Sequence, residues 1–208
     1  MKDYKPYFKQ SIERHYPQDA VNLIAQVDAE FLVIQPDVGF AATSANPVDR
    51  RLDFAAYFLS LIKVLEKKGE QYHKIRGICL ETTIQFVQPR NKFEAFVKKS
   101  VPRLVGYKIT SYFLKIFDSK ISKSGHPDGF VARIITDKNE TYGLGYGIDI
   151  LECGICKLFH KHGFHQYAAI LCEVDKITSG LAGLELIRNG TIANGAAKCD
   201  FRFKLVSK

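Results

Sequence analysis

The closing stretch of the chain, Leu186 to Phe203, restricts the available folds more than any other part. Two Asn-Gly pairs, Asn189-Gly190 and Asn194-Gly195, stand between one alternating apolar run and another. Asn-Gly enters the tight turns of hairpins readily, so the stretch predicts two antiparallel strands joined by a turning loop. Alternation at period two puts Leu184, Leu186 and Arg188 on one face, and Cys199, Phe201, Phe203 and Leu205 on one face of the partner strand. Arg188 and Cys199 therefore point to the side where the apolar residues go. An inward arginine has to meet a carboxylate, because a lone buried charge is strongly unfavourable.

Upstream the periodicity is different. Val21, Leu23, Ile24, Val27, Phe31 and Ile34 predict a helix over 19–35, broken at Pro36. Leu52, Phe54, Tyr57, Phe58, Leu61, Ile62 and Leu65 predict an amphipathic helix within 48–68, stopped by Lys67-Lys68-Gly69. Further helices are expected over 73–87, around 93–99, and from Pro102 to about Ser122. Nothing in these first 125 or so residues looks catalytic. From Gly129 the chain turns β-rich: a strand over 130–136, then a second over 141–150 in which Gly143, Gly145 and Gly147 alternate with Tyr142, Leu144, Tyr146 and Ile148. Glycines on one strand face leave room either for close packing or for a ligand. Two helices, 151–162 and 165–176, precede the closing hairpin. The expected fold is α+β: a helical N-terminal part (1–125) packed on a small antiparallel sheet of two β-hairpins with two intervening helices (126–208).

The chain's 208 residues can bury a sizeable core, and 46% hydrophobic with 25% charged residues is ordinary for a globular protein. The net charge is +8, but the basic residues are spread along the chain, with no basic arm and no aromatic RNA-binding strand. Small anionic ligands rather than nucleic acid are the expected partners, and a homo-oligomer is left open. No stretch has the roughly 18 to 20 apolar residues of a membrane span. The polar start Met1-Lys-Asp-Tyr-Lys-Pro is no signal peptide, so a cytoplasmic protein without a membrane partner is expected. The five cysteines, Cys79, Cys153, Cys156, Cys172 and Cys199, are an odd number and suggest free thiols.

Three groups of residues could carry chemistry. Cys153-x-x-Cys156 followed by His160, His162 and His165 has zinc-ligand types, but lacks a second paired cluster and a common helix face, so no metal or other cofactor is expected. A cysteine nucleophile needs a base or a cation nearby, which Arg188 would offer to Cys199; a cysteine in register with Phe201 and Phe203 also reads as core filler. Arg188 has Glu173, Asp175 and Asp200 as candidate partners. Either an Arg188–Asp175 pair holds helix to hairpin, or Arg188 clamps an anionic substrate and leaves Asp175 or Glu173 as general base.

The order of Cys153, Phe159, Gly163, Leu171-Cys172-Glu173-x-Asp175, Leu186-x-Arg188-x-x-Thr191-Ile192-Ala193-x-Gly195 and Cys199-Asp200-Phe201-Arg202-Phe203 resembles the L-2-amino-thiazoline-4-carboxylic acid hydrolase family over roughly the last 60 residues. That resemblance implies ring opening of a cyclic thiazoline acid on the way to L-cysteine. Water would add to the amidine carbon and the carbon–sulfur bond would break. The implied roles place Arg188 on the substrate carboxylate and Asp175, or failing it Glu173, as the base. Thr191 and the backbone at Gly195 would stabilise developing charge, and Cys153, Cys172, Cys199 and Tyr146 would line the site, with Cys199 the candidate nucleophile. A helical wall over a small sheet is also similar to vinyl-reductase-type sensor modules, which hold a ligand without turning it over. An enzyme needs Asp175 or Glu173 unpaired and facing a cavity near Arg188; a closed apolar pocket with Asp175 in a salt bridge suits a sensor.

Overall fold

A computed structural model of the protein describes residues 3–105 and 108–206. Their element order is α1 (Lys5–His15), α2 (Ala20–Val38), α3 (Arg51–Lys67), α4 (Tyr72–Val87), α5 (Lys92–Ser100), α6 (Lys108–Ile121), β1 (Val131–Ile135), β2 (Gly147–Glu152), α7 (Gly154–Lys161), α8 (Ala168–Leu181), β3 (Leu184–Ile187) and β4 (Cys199–Leu205). Short 3-10 turns at Gly39–Ala42, Pro47–Arg50, Val101–Leu104, His165–Tyr167 and Ile192–Asn194 join them. The fold is α+β, as the two periodicities predict.

The sequence of α3 explains its central place. From Leu52 to Leu65 only Asp53, Phe54 and Lys63 escape full burial, so the helix is apolar almost all round and needs neighbours on several sides. Helices α2, α4 and α7 supply them. The one polar side chain sealed inside, Ser60, donates its hydroxyl to the Ala56 carbonyl at 2.8 Å and so needs no outside partner. Helix α2 runs two residues past the expected break at Pro36 and ends at Val38. A proline in the last turn deletes a single hydrogen bond, which burial of Ile34 and Val38 outweighs.

All strand pairs are antiparallel, in the order β1-β2-β4-β3. The closing hairpin forms as expected, with Leu186 opposite Phe203, and its second strand also pairs with β2, Ile150 opposite Cys199. The two hairpins are thus one sheet. Parity holds as well: Cys199, Phe201 and Phe203 are buried, while Leu205 at the strand end is not.

The strand expected over 141–150 is only half formed. Residues Tyr142, Gly143 and Gly145 have φ of 51°, 82° and 72°, left-handed values that no strand accommodates. They fold into a loop pinned by the buried Thr141, whose hydroxyl donates to Asp137 O at 2.6 Å and accepts from Gly145 N at 2.9 Å. Only Gly147 is a strand glycine, and there the backbone approach is real: a Cβ would lie 2.8 Å from the Phe201 carbonyl oxygen. The glycines are therefore turn and sheet devices, not a ligand floor.

The main core runs without interruption from Tyr4 to Ile170, while a smaller cluster of Leu184, Cys199, Phe201 and Phe203 belongs to the sheet. Ile150 touches both clusters, and a cavity opens along this seam.

Candidate functional site

The cavity holds about 310 Å³, at the lower end of the roughly 300–1,000 Å³ usual for small-molecule sites. Its walls are mostly apolar: Phe54, Phe86, Phe130, Ile150, Leu171 and Phe201. Into them are set Arg50, Arg51, Asp175 and the thiols Cys153, Cys156, Cys172 and Cys199.

Helix geometry selects which residues of α8 take part. Cys172 and Asp175 are three residues apart, so they share a side, and both line the cavity. Glu173 lies on another side of the helix and is held by Arg76 of α4, whose Nε donates at 2.8 Å and whose Nη2 donates to the second oxygen. The Glu173 alternative for general base is thereby removed from the cavity: its carboxylate ties α8 to α4.

Among the described residues, Asp175 is the only carboxylate in the cavity wall. Arg188 Nη1 donates to its Oδ2 at 3.3 Å, and Nη2 donates to the Cys172 carbonyl at 3.1 Å. The guanidinium also lies 5.0 Å from the centre of the Phe201 ring. With 8% of its side chain exposed and these partners in place, Arg188 does not line the cavity. It is a strut behind Asp175, so the expectation that it grips a substrate carboxylate gives way to the helix-to-hairpin pair. Asp175 keeps 26% of its side chain exposed, and among the described residues its Oδ1 has no hydrogen bond. Burial pushes its carboxyl above the ordinary value, against the lowering by Arg51 and then Arg188. It is thus one-sidedly paired, facing the cavity, and closer to neutral pH than a surface aspartate.

Arg50 and Arg51 stand at the mouth. Arg50 caps α3 and Arg51 opens its first turn; both are solvent-exposed, and their side chains form no hydrogen bond or ion pair among the described residues. Burial raises the pKa of both Asp175 and Tyr146, and the charge of Arg51 reaches inward to oppose that rise at each. Their placement is fixed by a buried clamp just before them. Asp49 Oδ1 accepts from Phe130 N at 2.8 Å and its Oδ2 from the Ser44 hydroxyl at 2.5 Å, while Asn46 Nδ2 donates to Phe130 O at 2.8 Å. The turn Pro47–Arg50 is thus tied to the cavity wall at Phe130, and Gly129 leaves the room, since a Cβ there would meet Asp49 Oδ1 at 3.0 Å.

The four thiols differ. Cys153 is the N-cap of α7, and although its side chain makes no cap hydrogen bond, its pKa is lowered, first by the Cys156 thiol and then by the amides of Cys156 and Ile155, against the effect of burial. Its partner Cys156 is pushed up, first by Cys153 and then by burial. Burial and then Asp175 raise Cys172 to about 12. Burial also raises Cys199, even though Ile192 N donates to its Sγ at 3.2 Å. Cys153 is thus the cavity thiol held low, whereas Cys199, the expected nucleophile, is pushed up by burial. All five cysteines are free.

Other expected site residues lie outside the wall. Thr191 is buried with its hydroxyl unpartnered, and Gly195, at φ 86°, closes the 3-10 turn Ile192–Asn194; both build the loop that caps Cys199. Tyr146 stacks on Phe203 with ring centres 5.5 Å apart. His162 turns away to Asp37 at 2.9 Å, and among the described residues no three metal-ligating side chains converge. Arg50 and Arg51, which line the cavity, are not among the residues expected from the sequence, although it held a signal. Two cations at the N-terminal end of a helix, one at its cap and one at its first residue, oppose its dipole at a cost of about 0.3–1 kcal/mol each, and such a placement asks for an anion.

Against known proteins, the model of the L-2-amino-thiazoline-4-carboxylic acid hydrolase family matches residues 50–203. The match begins at Arg50 and includes every cavity-lining residue except Tyr4. No curated protein and no solved structure matches the chain.

Proposed function

The chain belongs to the L-2-amino-thiazoline-4-carboxylic acid hydrolase family, and we propose that it opens a small cyclic amidine or thiazoline carboxylic acid with water, inside the cavity behind Arg51. The observation that carries this reading is the charge layout of the cavity: an unpaired guanidinium at the mouth and a single desolvated carboxylate within an otherwise apolar wall. Arg51, with Arg50 beside it and the positive end of α3 beneath, takes the substrate carboxylate. The ring then extends along Phe54, Phe86 and Phe130 toward Asp175.

Asp175 accepts a proton from water as the water oxygen bonds to the amidine carbon. That proton passes to the ring nitrogen; the new hydroxyl then gives its own proton to Asp175 as the carbonyl forms and the carbon–sulfur bond breaks, Asp175 hands it to the leaving sulfur, and the product is an N-carbamoyl amino acid bearing a free thiol. A carboxylate with a raised pKa suits this exchange, since it binds the proton firmly enough to take it and still returns it. Arg188 holds Asp175 from behind through one oxygen, leaving the other for water. A covalent variant is favoured by the lowered pKa of Cys153: its sulfur adds to the amidine carbon, the ring sulfur leaves, and water then displaces Cys153. A ligand-holding module without turnover would need none of this: no raised carboxylate and no stabilised thiolate.

Incubation of the purified protein with 2-amino-thiazoline-4-carboxylate, read as release of free thiol, tests the reading. Asp175→Asn should keep binding the acid and lose turnover. Binding with no thiol released by the wild-type protein would assign the cavity to a sensor instead.

A further inference from the structure

The net charge of the chain is not spread evenly, because the acidic residues are not. Residues 1–87 hold eleven basic and eleven acidic side chains; from Arg90 to Lys123 there are nine basic against two acidic, a net +7 of the chain's total of +8. Among the described residues, none of the ion pairs involves a basic side chain of this segment, whereas the rest of the molecule pairs its charges freely.

The same segment carries most of the misplaced apolar surface. Eight of the fifteen exposed large hydrophobic residues among those described lie between Phe93 and Ile116, including Phe93 at 75%, Phe96 at 68% and Phe113 at 61% exposure. Helix α5 buries none of its residues. Its Phe93, Phe96 and Val97 follow a helical stripe that continues to Val101 and Leu104 and faces solvent. On α6, Tyr112, Phe113 and Ile116 do the same, while Ile121 is buried. Amphipathic helices turn their apolar stripes outward here, among lysines and arginines that take part in none of the ion pairs of the described residues.

We propose that the α5–α6 segment docks on the surface of an anionic lipid bilayer. Charge complementarity selects this occupant. A second copy of the chain would bring another +7 to the interface and be repelled. Nucleic acid would satisfy the cations but leave the phenylalanines in water. A bilayer interface accepts both: the aromatic and aliphatic side chains enter the boundary between headgroups and acyl chains, and Lys92, Lys99, Arg103 and Lys115 meet the anionic headgroups. No described helix is long and apolar enough to cross a membrane, so the contact is peripheral. The proposal is independent of the chemistry in the cavity and revises the expectation of no membrane partner, which rested on the lack of a spanning segment.

Sedimentation of the full chain with vesicles tests it. Vesicles of equal parts phosphatidylglycerol and phosphatidylcholine should retain the protein at least about tenfold better than pure phosphatidylcholine, since each engaged basic residue contributes about fivefold, and added salt should release it. Phe93→Ser with Phe96→Ser should lose retention, as should Lys99→Glu with Arg103→Glu, both with the wild-type unfolding midpoint. The charge variant keeps the test decisive should the aromatic one fail to fold. Equal retention on both vesicles, or none on either, overturns the proposal. So does a concentration-dependent dimer that the aromatic variant abolishes without vesicle binding, or binding to duplex DNA but not to vesicles.

Discussion

Two arginines flank Asp175, and they have opposite fates. Arg188 comes from the end of β3, reaches inward over Phe201, and spends its donors on Asp175 and the Cys172 carbonyl. Arg51 comes from the first turn of α3, stays in water, and spends none on protein among the described residues. Burial is what separates them. A guanidinium taken out of water must be paired at once, so it becomes part of the scaffold. One left at a cavity mouth stays available to a ligand, and the carboxylate between them inherits one partner and one free oxygen.

Removing the carboxylate between the two arginines should have the largest effect. Asp175→Asn is expected to reduce turnover by about 10²–10⁴-fold, the usual range for a general base, with little change in affinity for the acid. In the wild type, kcat/KM should fall as pH drops through the folded-state pKa of Asp175, because the base must be ionised. That limb should sit above the ordinary aspartate range, as burial dictates. Wild-type turnover in the variant would remove Asp175 from the chemistry and make the Cys153 route the one to pursue.

Next in size is the scaffold arginine. Arg188→Ala leaves Asp175 and the Cys172 carbonyl without their donor, and should lower stability by about 3 kcal/mol or more, as for other broken buried pairs. Thermal unfolding reads it directly. An unchanged midpoint would erase the distinction between strut and clamp.

Arg51→Ala should do the reverse: weaken binding of the carboxylate substrate by about 1.5–3 kcal/mol, the value of a hydrogen bond to a charged group, while leaving the fold intact or slightly firmer. A titration with a small cyclic acid distinguishes the two variants. Equal loss of affinity from Arg188→Ala in a stable protein would return the clamp to the hairpin.

Among the thiols the expected effect is smaller. Cys153 should react with iodoacetamide before Cys156, Cys172 or Cys199 at neutral pH, as peptide mapping after brief labelling would show. Smallest is a stability effect on the far face of the sheet. Asp149 is pushed up by burial, but Arg202, donating at 2.7 Å, and then Lys198 outweigh this and lower its pKa below 3.8. Its contribution is present above the unfolded value and lost as pH falls through the folded one. Asp149→Asn should flatten the acid side of a stability–pH curve.

How much of this was legible beforehand follows from what each signal reports. Periodicity reports which face of an element is apolar, so it delivered α3, the hairpin of β3 and β4, and the inward aim of Arg188 and Cys199. It also placed Cys172 and Asp175 on one side of α8, because three residues make nearly a helical turn. The glycines of 143–147 were misread because alternation in sequence cannot reveal a positive φ; the loop shows only once Gly143 and Gly145 take left-handed conformations.

By itself, then, the sequence determined the α+β class and the family, since these depend on local pattern and short motifs. Only the tertiary structure decided which arginine lines the cavity with Asp175 and which is paired behind it. Arg51 and Asp175 stand 124 positions apart in the chain, and what joins them is the clamp of Asp49 and Asn46 on Phe130, a contact between distant segments that no local spacing encodes. Pairing, too, is a property of neighbours in space. Arg188 was legible as inward but not as already satisfied, because its partners are set by how α8 packs on the sheet.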